Sequence, residues 1–586
     1  MPSKTSKSKT DTRLPVTILS GFLGSGKTTI LQSILNNLPN YTPTNGSKKK
    51  FRRVALIVND MGAINIDADL IARASHNKTS VVTQQKLPPK IVRLQNGCVC
   101  CTLRVDLLEQ LAELARASPP FDYAIVEASG ISEPMQVAET FSVEFGQAMA
   151  DEIDALEGIS SIAKEALHRG GLSSIARLDT CATVVDAYNF FATFNTADVL
   201  SDRFKDVEEE DERSITDLMV DQIEFASVII VNKCDLVDDV TQKRISDTVT
   251  KLNPMARILP RRINSTITTG KKSLSSQKQQ KSYQELGFPL DALIDSRSFD
   301  FERAALGAGW LRSLLELTTR TDADGRVRRV PKPETEEYGV SSCLFRARRP
   351  FHPKRLWELL VDKFVIVQDS YEDEEDNEDD EDDEDEEDEE EIKQENKKDS
   401  KEDLEEADSD SDEEDEPEMS PEEERERDKK KLRTKAEDPI FRGLLRSKGT
   451  FWLASRAGSM GEWSQAGGIL TVRGGPTWYC DAADEDLPSD DPALLKSVLA
   501  DFEGEWGDRR QELVFIGEKL DQEAVTTRFG SALLTDAEME TWETIMRKYK
   551  QKDQQEERDD KLLEAFEDGW EAWPVVIEEF VEGQSH

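Results

Sequence analysis

The first 260 or so residues of the chain alternate between short apolar runs and amphipathic segments. The apolar runs are rich in β-branched side chains, and the segments between them, such as TTILQSILNNL and RVDLLEQLAELARA, repeat apolar positions at helical spacing. Continuous apolar strands joined by helical crossovers are typical of a parallel sheet covered on both faces. The pattern predicts an α/β domain with strands at 14–19, 52–59, 90–94, 121–127, 182–187, 226–232 and 256–260.

A second strand pattern begins near Tyr338 with YGVSSCLFRARRPF and resumes, after a long polar interruption, at LLRSKGTFWLASR and ELVFIGEKL. Mixed short strands and helices of this kind predict a smaller α+β domain. The chain is therefore divided into a disordered tail (1–12), the α/β domain (13–262), a linker (263–337), the α+β domain (338–535) with a disordered acidic low-complexity insert at about 369–437, and a helical tail (536–586).

The chain is strongly acidic, with 119 Asp and Glu against 75 Lys and Arg and a net charge of −44. The segment from Glu372 to Glu418 alone holds 33 acidic residues and 4 Lys. Such a run repels itself and buries no apolar surface, so we expect a solvated spacer, a weak divalent-cation sink or a docking site for a basic partner. The charge argues against nucleic-acid binding, and the absence of a long apolar stretch argues against a membrane span. A cytoplasmic or nuclear location is expected.

The strongest motif lies directly after the first predicted strand and opens a helix. Gly21 to Thr28 spells GFLGSGKT and fits G-x-x-x-x-G-K-[ST] at each fixed position. Glycines let backbone N–H groups face phosphates, Lys27 reaches the terminal phosphates, and the Thr28 hydroxyl ligates Mg²⁺. The predicted nucleotide-binding residues here are Gly21, Gly24, Ser25, Gly26, Lys27, Thr28 and Thr29.

Two later strand ends indicate which nucleotide is bound. Glu127 ends a strand, where it can hold the water shell of Mg²⁺, and the Gly130 N–H is placed to sense the γ-phosphate. Asn232, Lys233 and Asp235 form N-K-x-D at the end of another strand. A carboxylate there accepts both N1–H and N2–H of guanine, a pattern that adenine does not offer. The sequence therefore favours GTP over ATP.

A cysteine cluster, NGCVCC, lies between a predicted strand and a predicted helix. Cys98, Cys100 and Cys101 fall within four positions, and the helix N-terminus that follows favours their thiolate form. Thiolates select Zn²⁺ or Cu(I), and three ligands leave a position through which an ion can be handed on. Two alternatives remain: a redox pair of Cys98 and Cys101, or inert structural thiols.

In this order and these contexts, GFLGSGKTT, NGCVCC, EASG and NKCD resemble the motifs of the CobW family of P-loop GTPases, which are related to the UreG and HypB metal-insertion GTPases. SSCLFRARRPFHPKRLW and GEKLDQEAVTTRFGSALLT are similar to that family's C-terminal domain. The resemblance implies a GTP-hydrolysing metallochaperone that binds a metal, usually Zn²⁺, and passes it to a client metalloprotein. It also allows a homodimer.

The resemblance assigns roles by position. It implies phosphate and Mg²⁺ binding by Lys27 and Thr28, a catalytic strand-end role for Glu127, guanine binding by Asn232 and Asp235, and the transferable metal on Cys98, Cys100 and Cys101. Asp60 stands where the family usually has Glu, and its carboxylate can reach Mg²⁺ or the transferred metal. His352 is interpreted as an interface or surface residue, with metal ligation as the alternative.

Two further expectations concern mechanism. No residue is identifiable as the group that positions water, so we expect slow GTP hydrolysis until a partner or a second copy completes the site. We also expect the NGCVCC loop and the Glu127–Gly130 loop to follow neighbouring strands, so that γ-phosphate contacts alter thiolate geometry. The alternative function is a nucleotide-gated switch that docks a basic partner through the acidic segment.

Overall fold

A computed structural model gives the fold of both predicted domains. The residues that it describes are 11, 13–38, 51, 53–58, 90–93, 101–142, 161–169, 171–200, 213–262, 286–305, 317–321, 327–331, 340–368, 420–482, 495, 498–550, 554–571 and 573. Nearly all of the predicted N-terminal tail, much of the predicted linker and the whole segment from Glu372 to Glu418 lie outside these residues. Within the described part of the chain, no helix is long and apolar enough to cross a membrane.

The first domain is built on a seven-stranded, wholly parallel sheet, and all seven predicted strands are confirmed. The strand order is β3-β2-β4-β1-β5-β6-β7. The strands are β1 (Leu14–Ser20), β2 (Val54–Val58), β3 (Lys90–Arg93), β4 (Tyr123–Glu127), β5 (Ala176–Asp186), β6 (Val228–Asn232) and β7 (Arg257–Pro260). The helices of this domain are α1 (Lys27–Asn37), α2 (Cys101–Arg116), α3 (Pro134–Glu139), α4 (Ser161–His168), α5 (Phe190–Phe194), α6 (Ile215–Phe225) and α7 (Asp239–Leu252).

Apolar layers cover both faces of this sheet, as the continuous apolar strands predict. All seven residues of β1 are buried. Ile18 packs with Leu111 of α2 on one face, and Leu19 packs with Ile30 of α1 on the other. Because β1 lies between β4 and β5, the loop that follows it emerges between Glu127 and Asp186 at the carboxyl edge of the sheet. Ligands of open α/β sheets bind at this edge.

The prediction of a linker from 263 to 337 is wrong for residues 286–294. Leu286, Phe288 and Leu293 are buried in the same layer as α1. The Leu293 carbonyl also accepts a 2.8 Å hydrogen bond from Thr17 Oγ1 in the centre of the sheet. The apolar residues of LGFPLDALI follow a long Ser-, Lys- and Gln-rich stretch, whose composition concealed them. Further along lie α8 (Phe301–Ala305) and an antiparallel hairpin of β8 (Leu317–Thr321) and β9 (Val327–Pro331).

The second domain is a six-stranded mixed sheet with helices, which confirms the α+β prediction. Its order is β10-β15-β12-β13-β14-β11, antiparallel except for the parallel β11–β14 pair. The strands are β10 (Val340–Ala347), β11 (Val365–Gln368), β12 (Leu444–Phe451), β13 (Ser459–Ala466), β14 (Ile469–Thr477) and β15 (Gln511–Glu518). The helices are α9 (Pro353–Leu360), α10 (Pro421–Glu437), α11 (Gln522–Gly530), α12 (Asp536–Lys548) and α13 (Gln555–Ala565).

Two predicted boundaries change in this domain. The predicted disordered insert ran to about 437, but its last part is α10, which a capping box of Ser420 and Glu423 begins and whose Lys435 Nζ donates to the Leu444 carbonyl at 2.9 Å. The described part of the predicted helical tail holds α12 and α13, and these helices belong to the domain core. Trp542 is fully buried against Trp452, with ring centroids 5.0 Å apart.

Candidate functional site

The loop from Gly21 to Gly26, between β1 and α1, curves into a phosphate-binding cradle. Its backbone conformation requires glycine at two positions. Gly21 has φ +132°, and a Cβ on it would lie 2.3 Å from the Val184 carbonyl oxygen. Gly26 has φ +100°, and a Cβ there would lie 2.4 Å from Asn232 Nδ2. Positive φ and these close approaches exclude any side chain at both positions. The cradle sits at the start of α1, where backbone N–H groups suit phosphate.

Lys27, Thr28 and Glu127 are brought together at the carboxyl edge of the sheet. Lys27 is 8% exposed, and its Nζ donates to the Gly21 carbonyl at 2.7 Å, across the mouth of the loop. The Thr28 hydroxyl donates to Glu127 Oε1 at 3.0 Å, and Glu127 is 2% exposed at the end of β4. A hydroxyl and a carboxylate side by side form the hard oxygen set that Mg²⁺ prefers. The donor set therefore fits Mg²⁺, and the cradle fits phosphate.

Ser25 and Thr29 occupy different environments in the same loop. Thr29 is exposed on the first turn of α1. Ser25 is 1% exposed, and its hydroxyl has no hydrogen-bond partner among the described residues. It lines a cavity of about 310 Å³ between the loop and helices α5 and α6, with Thr183, Asp186 and Gln222 also on its wall. An unpaired hydroxyl in a partly polar cavity is a place where water or a ligand atom can bind.

The N-K-x-D segment braces the cradle from the side of β6. Asn232 Nδ2 donates to the Ser25 carbonyl at 2.8 Å. Lys233 adopts φ +59°, and its Nζ donates to the Gly24 carbonyl at 2.8 Å. Asp235 is exposed in the turn that follows. Two residues of the segment therefore hold the cradle, and the third is accessible to a base.

Sequence reasoning missed two residues that complete this brace. Arg261 directly follows β7 and is 2% exposed, and its Nη1 donates to Asn232 Oδ1 at 2.8 Å. Asp186 ends β5 and accepts a 2.7 Å hydrogen bond from Lys233 Nζ. Polar residues at the carboxyl ends of parallel strands are the signal that would have identified both.

The loop after β4 packs directly against the cradle. Gly130 is so close to Leu23 that a Cβ on it would lie 2.9 Å from the Leu23 backbone nitrogen. The Ser129 carbonyl accepts a 3.0 Å hydrogen bond from Ser132 Oγ. Gln222 of α6, which was not predicted as a site residue, donates from Nε2 to the Gly130 carbonyl at 3.3 Å and to the Ser132 carbonyl at 3.2 Å. A glycine is required here because the two loops touch.

The strand before the cysteine cluster and the helix after it are both present, as predicted. β3 ends at Arg93 and α2 begins at Cys101, at the same edge of the sheet as the cradle. Cys98, Cys100 and the Cys101 side chain lie outside the described residues, as does Asp60. Among the described residues no group of His, Cys, Asp and Glu is arranged to hold a metal.

The expectation that the cysteine loop and the Glu127–Gly130 loop follow neighbouring strands is wrong. β2 lies between β3 and β4 and pairs in parallel with both. The carboxyl end of β2, at Val58, therefore lies between the two strand ends. The apolar pattern predicts the order of strands along the chain but not their order in the sheet.

The described part of the chain also includes His352 and two buried cysteines. His352 lies at the start of α9, with its ring centroid 6.0 Å from that of Phe566 and the two rings nearly perpendicular, and burial lowers the pKa of its imidazole. Cys181 and Cys343 are buried, and burial raises the pKa of each thiol to about 12. A thiol held protonated in this way is neither a metal ligand nor a nucleophile near neutral pH.

Comparison with known proteins agrees with this geometry. The nucleotide-binding domain model of CobW, HypB and UreG matches residues 15–260, and the model of the cobalamin synthesis protein CobW C-terminal domain matches 419–533. Zinc-regulated GTPase metalloprotein activator 1 of Dictyostelium discoideum is 31% identical over 528 residues, covering 90% of this chain and 81% of that protein. Zinc chaperone CobW of Pseudomonas aeruginosa is 27% identical over 234 residues, covering 39% and 51%.

A search of solved structures returns the zinc-bound YjiA GTPase from E. coli. The two chains are 14% identical, and the match covers 89% of this chain and 99% of that one. The TM-score is 0.24, so this superposition adds no argument to the family match.

Proposed function

Because the chain belongs to the CobW/HypB/UreG family of P-loop GTPases, we propose that it carries Zn²⁺ on Cys98, Cys100 and Cys101 and delivers the ion to a client protein under the control of GTP. The observation that carries the proposal is the start of α2 at Cys101, at the sheet edge that also holds the phosphate cradle. A nucleotide and a thiolate-bound ion then share one edge of one sheet. The names of two relatives, a zinc-regulated GTPase metalloprotein activator and a zinc chaperone, support the proposal that the ion is Zn²⁺.

GTP binding uses the cradle and the N-K-x-D segment that contacts it. Backbone N–H groups from Gly21 to Gly26 bind phosphate oxygens, and Lys27 turns from the Gly21 carbonyl to the terminal phosphates. Thr28 and Glu127 would hold Mg²⁺, which would neutralise charge on the terminal phosphates. Asp235 accepts the two N–H groups of guanine.

Hydrolysis joins a water oxygen to the γ-phosphorus as the bond to the β-phosphate oxygen breaks. The described residues offer positioning and charge stabilisation at the phosphates, which are the main contributions in this chemistry. None of them is placed as a dedicated base for the water. We therefore propose slow turnover that a client or a second copy of the chain accelerates.

The metal half of the mechanism uses the start of α2. A helix N-terminus carries a partial positive charge that favours thiolate over thiol. Three thiolates bind Zn²⁺ and leave its fourth position open to a client ligand, whereas a closed four-ligand site retains its ion. Asp60, two positions after the end of β2 in sequence, is the proposed contact between metal and nucleotide.

The ligand set is tested by a Zn²⁺ titration against a chromophoric chelator on the wild type and on the Cys98/Cys100/Cys101→Ser variant. We expect tight binding that the triple variant loses while it keeps its affinity for GTP. Cys480→Ser, far along the chain, is the matched control and should bind Zn²⁺ as the wild type does. Equal Zn²⁺ affinity in the wild type and the triple variant would overturn the proposal.

A further inference from the structure

Helix α6 lies between the Glu127–Gly130 loop and the second domain, and it contacts both. From its residues we propose that Gln222 is a positioning residue for GTP hydrolysis, and that Arg446 of the second domain holds α6 in the place from which Gln222 acts. The inference rests on the proposed role of the Glu127–Gly130 loop in sensing the γ-phosphate. It assigns the second domain a part in the GTPase reaction.

Gln222 controls which way the peptide groups of that loop face. It is 1% exposed, and its Nε2 donates to the Gly130 and Ser132 carbonyls at 3.3 and 3.2 Å. Ser132, held in this way, donates from Oγ to the Ser129 carbonyl at 3.0 Å. Because a trans peptide is planar, the N–H of Gly130 points away from the Ser129 carbonyl. Gln222 thus fixes the direction in which the Gly130 N–H is presented.

The loop held by Gln222 meets the phosphate cradle directly. Gly130 packs against Leu23, where a Cβ would approach the backbone nitrogen to 2.9 Å. Buried neutral hydrogen bonds of this kind are costly to lose, because the carbonyls left behind have no water to replace the donor. A displaced Gln222 therefore leaves two buried carbonyls unsatisfied and the loop free to rotate its peptides.

The side of α6 that faces the second domain is held by one buried cation. Arg446 of β12 is 1% exposed. Its guanidinium meets three carboxylates of α6: Asp217 at 3.4 Å, Asp221 at 3.7 Å and Glu224 at 3.3 Å. Nη1 also donates to Ser464 Oγ at 3.1 Å, which ties the same group to β13. A buried charge compensated mainly by one helix fixes that helix, because withdrawal leaves the charge unpaired.

Backbone contacts add to this hold. Gly467, in the β13–β14 turn, is so close to α5 that a Cβ on it would lie 2.1 Å from the Phe194 carbonyl oxygen and 3.0 Å from Thr216 Cγ2 of α6. Thr216 Oγ1 donates to the Thr193 carbonyl at 2.9 Å. The second domain therefore contacts α6 at its first turn and along its acidic side.

Gln222 is adjacent in sequence to Asp221, and both belong to one rigid helix. A shift of the second domain that moves Arg446 must move Gln222 with it. By linkage, a γ-phosphate that orders the Gly130 loop also favours the position of the second domain in which Arg446 pairs with α6. This relay, from Arg446 through α6 and Gln222 to the Gly130 loop, therefore acts in both directions. The nucleotide affects the second domain, and the second domain affects the nucleotide site.

The test compares GTP turnover and nucleotide affinity in the Gln222→Met and Arg446→Met variants of the full chain. Methionine keeps the length of glutamine without its donors. We expect Gln222→Met to lower kcat by about tenfold, as the loss of one net hydrogen bond at the reacting loop implies, and to weaken a non-hydrolysable GTP analogue but not GDP. Arg446→Met should give the same GTP-selective effect. The double variant should raise the activation free energy of GTP hydrolysis by less than the sum of the two single effects.

Arg244→Ala is the matched control. Arg244 of α7 pairs with Glu518 of β15 and so crosses the same domain boundary, and its guanidinium stacks on the Phe191 ring of α5. It should leave kcat and both affinities unchanged. Arg446→Lys, which keeps a cation, should recover part of the loss if Arg446→Met is poorly folded. Equal weakening of GTP and GDP in Gln222→Met, or an Arg446→Met protein with wild-type kcat, would overturn the relay.

Gly130→Ala separates this inference from the function on which it rests. If Gly130→Ala lowers kcat and Gln222→Met does not, the loop acts on the γ-phosphate but Gln222 does not position it. If neither variant changes kcat, the proposed role of the loop is also wrong. Zn²⁺ binding by the cysteines is measured separately and is unaffected by either result.

Discussion

Asn232 joins the two ends of the nucleotide site through one amide. Its Nδ2 holds the Ser25 carbonyl of the cradle, and its Oδ1 accepts from Arg261 after the last strand of the sheet. The side chain is 3% exposed, so these hydrogen bonds are sheltered from water. The cradle and the N-K-x-D segment are thus joined by hydrogen bonds, and Asp235, three positions after Asn232, is exposed.

Asp235→Asn should change which base the site prefers. Guanine presents two N–H donors to the carboxylate, whereas xanthine presents one donor and one carbonyl, which an amide side chain complements. We expect GTP affinity to fall and xanthosine triphosphate affinity to rise, each by about tenfold to hundredfold, the range for a paired base contact. Binding of fluorescent nucleotide analogues measures both.

The same change at Asp238 is the control for Asp235→Asn. Asp238 is exposed and caps α7 by accepting from the Thr241 N–H at 2.7 Å, a role that asparagine also fills. Asp238→Asn should keep the wild-type preference for GTP. An unchanged preference in Asp235→Asn would show that Asp235 does not contact the base.

At the scale of elements, the strands were predictable and the elements with mixed composition were not. Each parallel strand is buried on both faces, so its apolar residues are continuous in sequence, as in the Val228–Asn232 strand. Residues 286–294 pack equally well, but their apolar positions follow a long polar stretch. The pairing of Arg446 with Glu224 spans 222 positions, and no local pattern predicts it.

Trp542 of α12 shows how far the C-terminal helices belong to the second domain. It is fully buried, its Nε1 donates to the Ala454 carbonyl at 3.0 Å, and its ring meets Trp452 and Trp506 edge to face. We expect Trp542→Ala to lower the free energy of unfolding of this domain by about 3 to 5 kcal/mol, as large-to-small core substitutions do. Urea unfolding followed by tryptophan fluorescence measures the change.

Thr541→Ala on the exposed side of the same helix is the control for this stability experiment. It should shift the unfolding free energy by less than about 0.5 kcal/mol, as surface substitutions usually do. GTP affinity should stay unchanged in both variants, since α12 does not contact the first domain's cradle. A Trp542→Ala protein as stable as the wild type would mean that α12 is a detachable tail.

At the scale of the whole molecule, one sheet edge holds both proposed sites, and one helix contacts both domains. The phosphate cradle and the start of the cysteine-bearing helix share the carboxyl edge of the first sheet, with β2 between them. The motifs predicted both sites from sequence, but not that β2 lies between their strands in the sheet. The segment from Glu372 to Glu418 lies outside the described residues, so its docking to a basic partner stays a prediction.

The central claim is that the nucleotide changes how tightly the metal is held. The most direct measurement is Zn²⁺ affinity by competition with a chelator, on full-length protein loaded with GDP·Mg²⁺ or with a non-hydrolysable GTP analogue and Mg²⁺. We expect affinities that differ by about fivefold or more between the two states, with no difference in a Lys27→Ala variant that fails to hold the terminal phosphates. Equal Zn²⁺ affinities in the two wild-type states would contradict the account, because a ligand cannot shift an equilibrium whose states it binds equally.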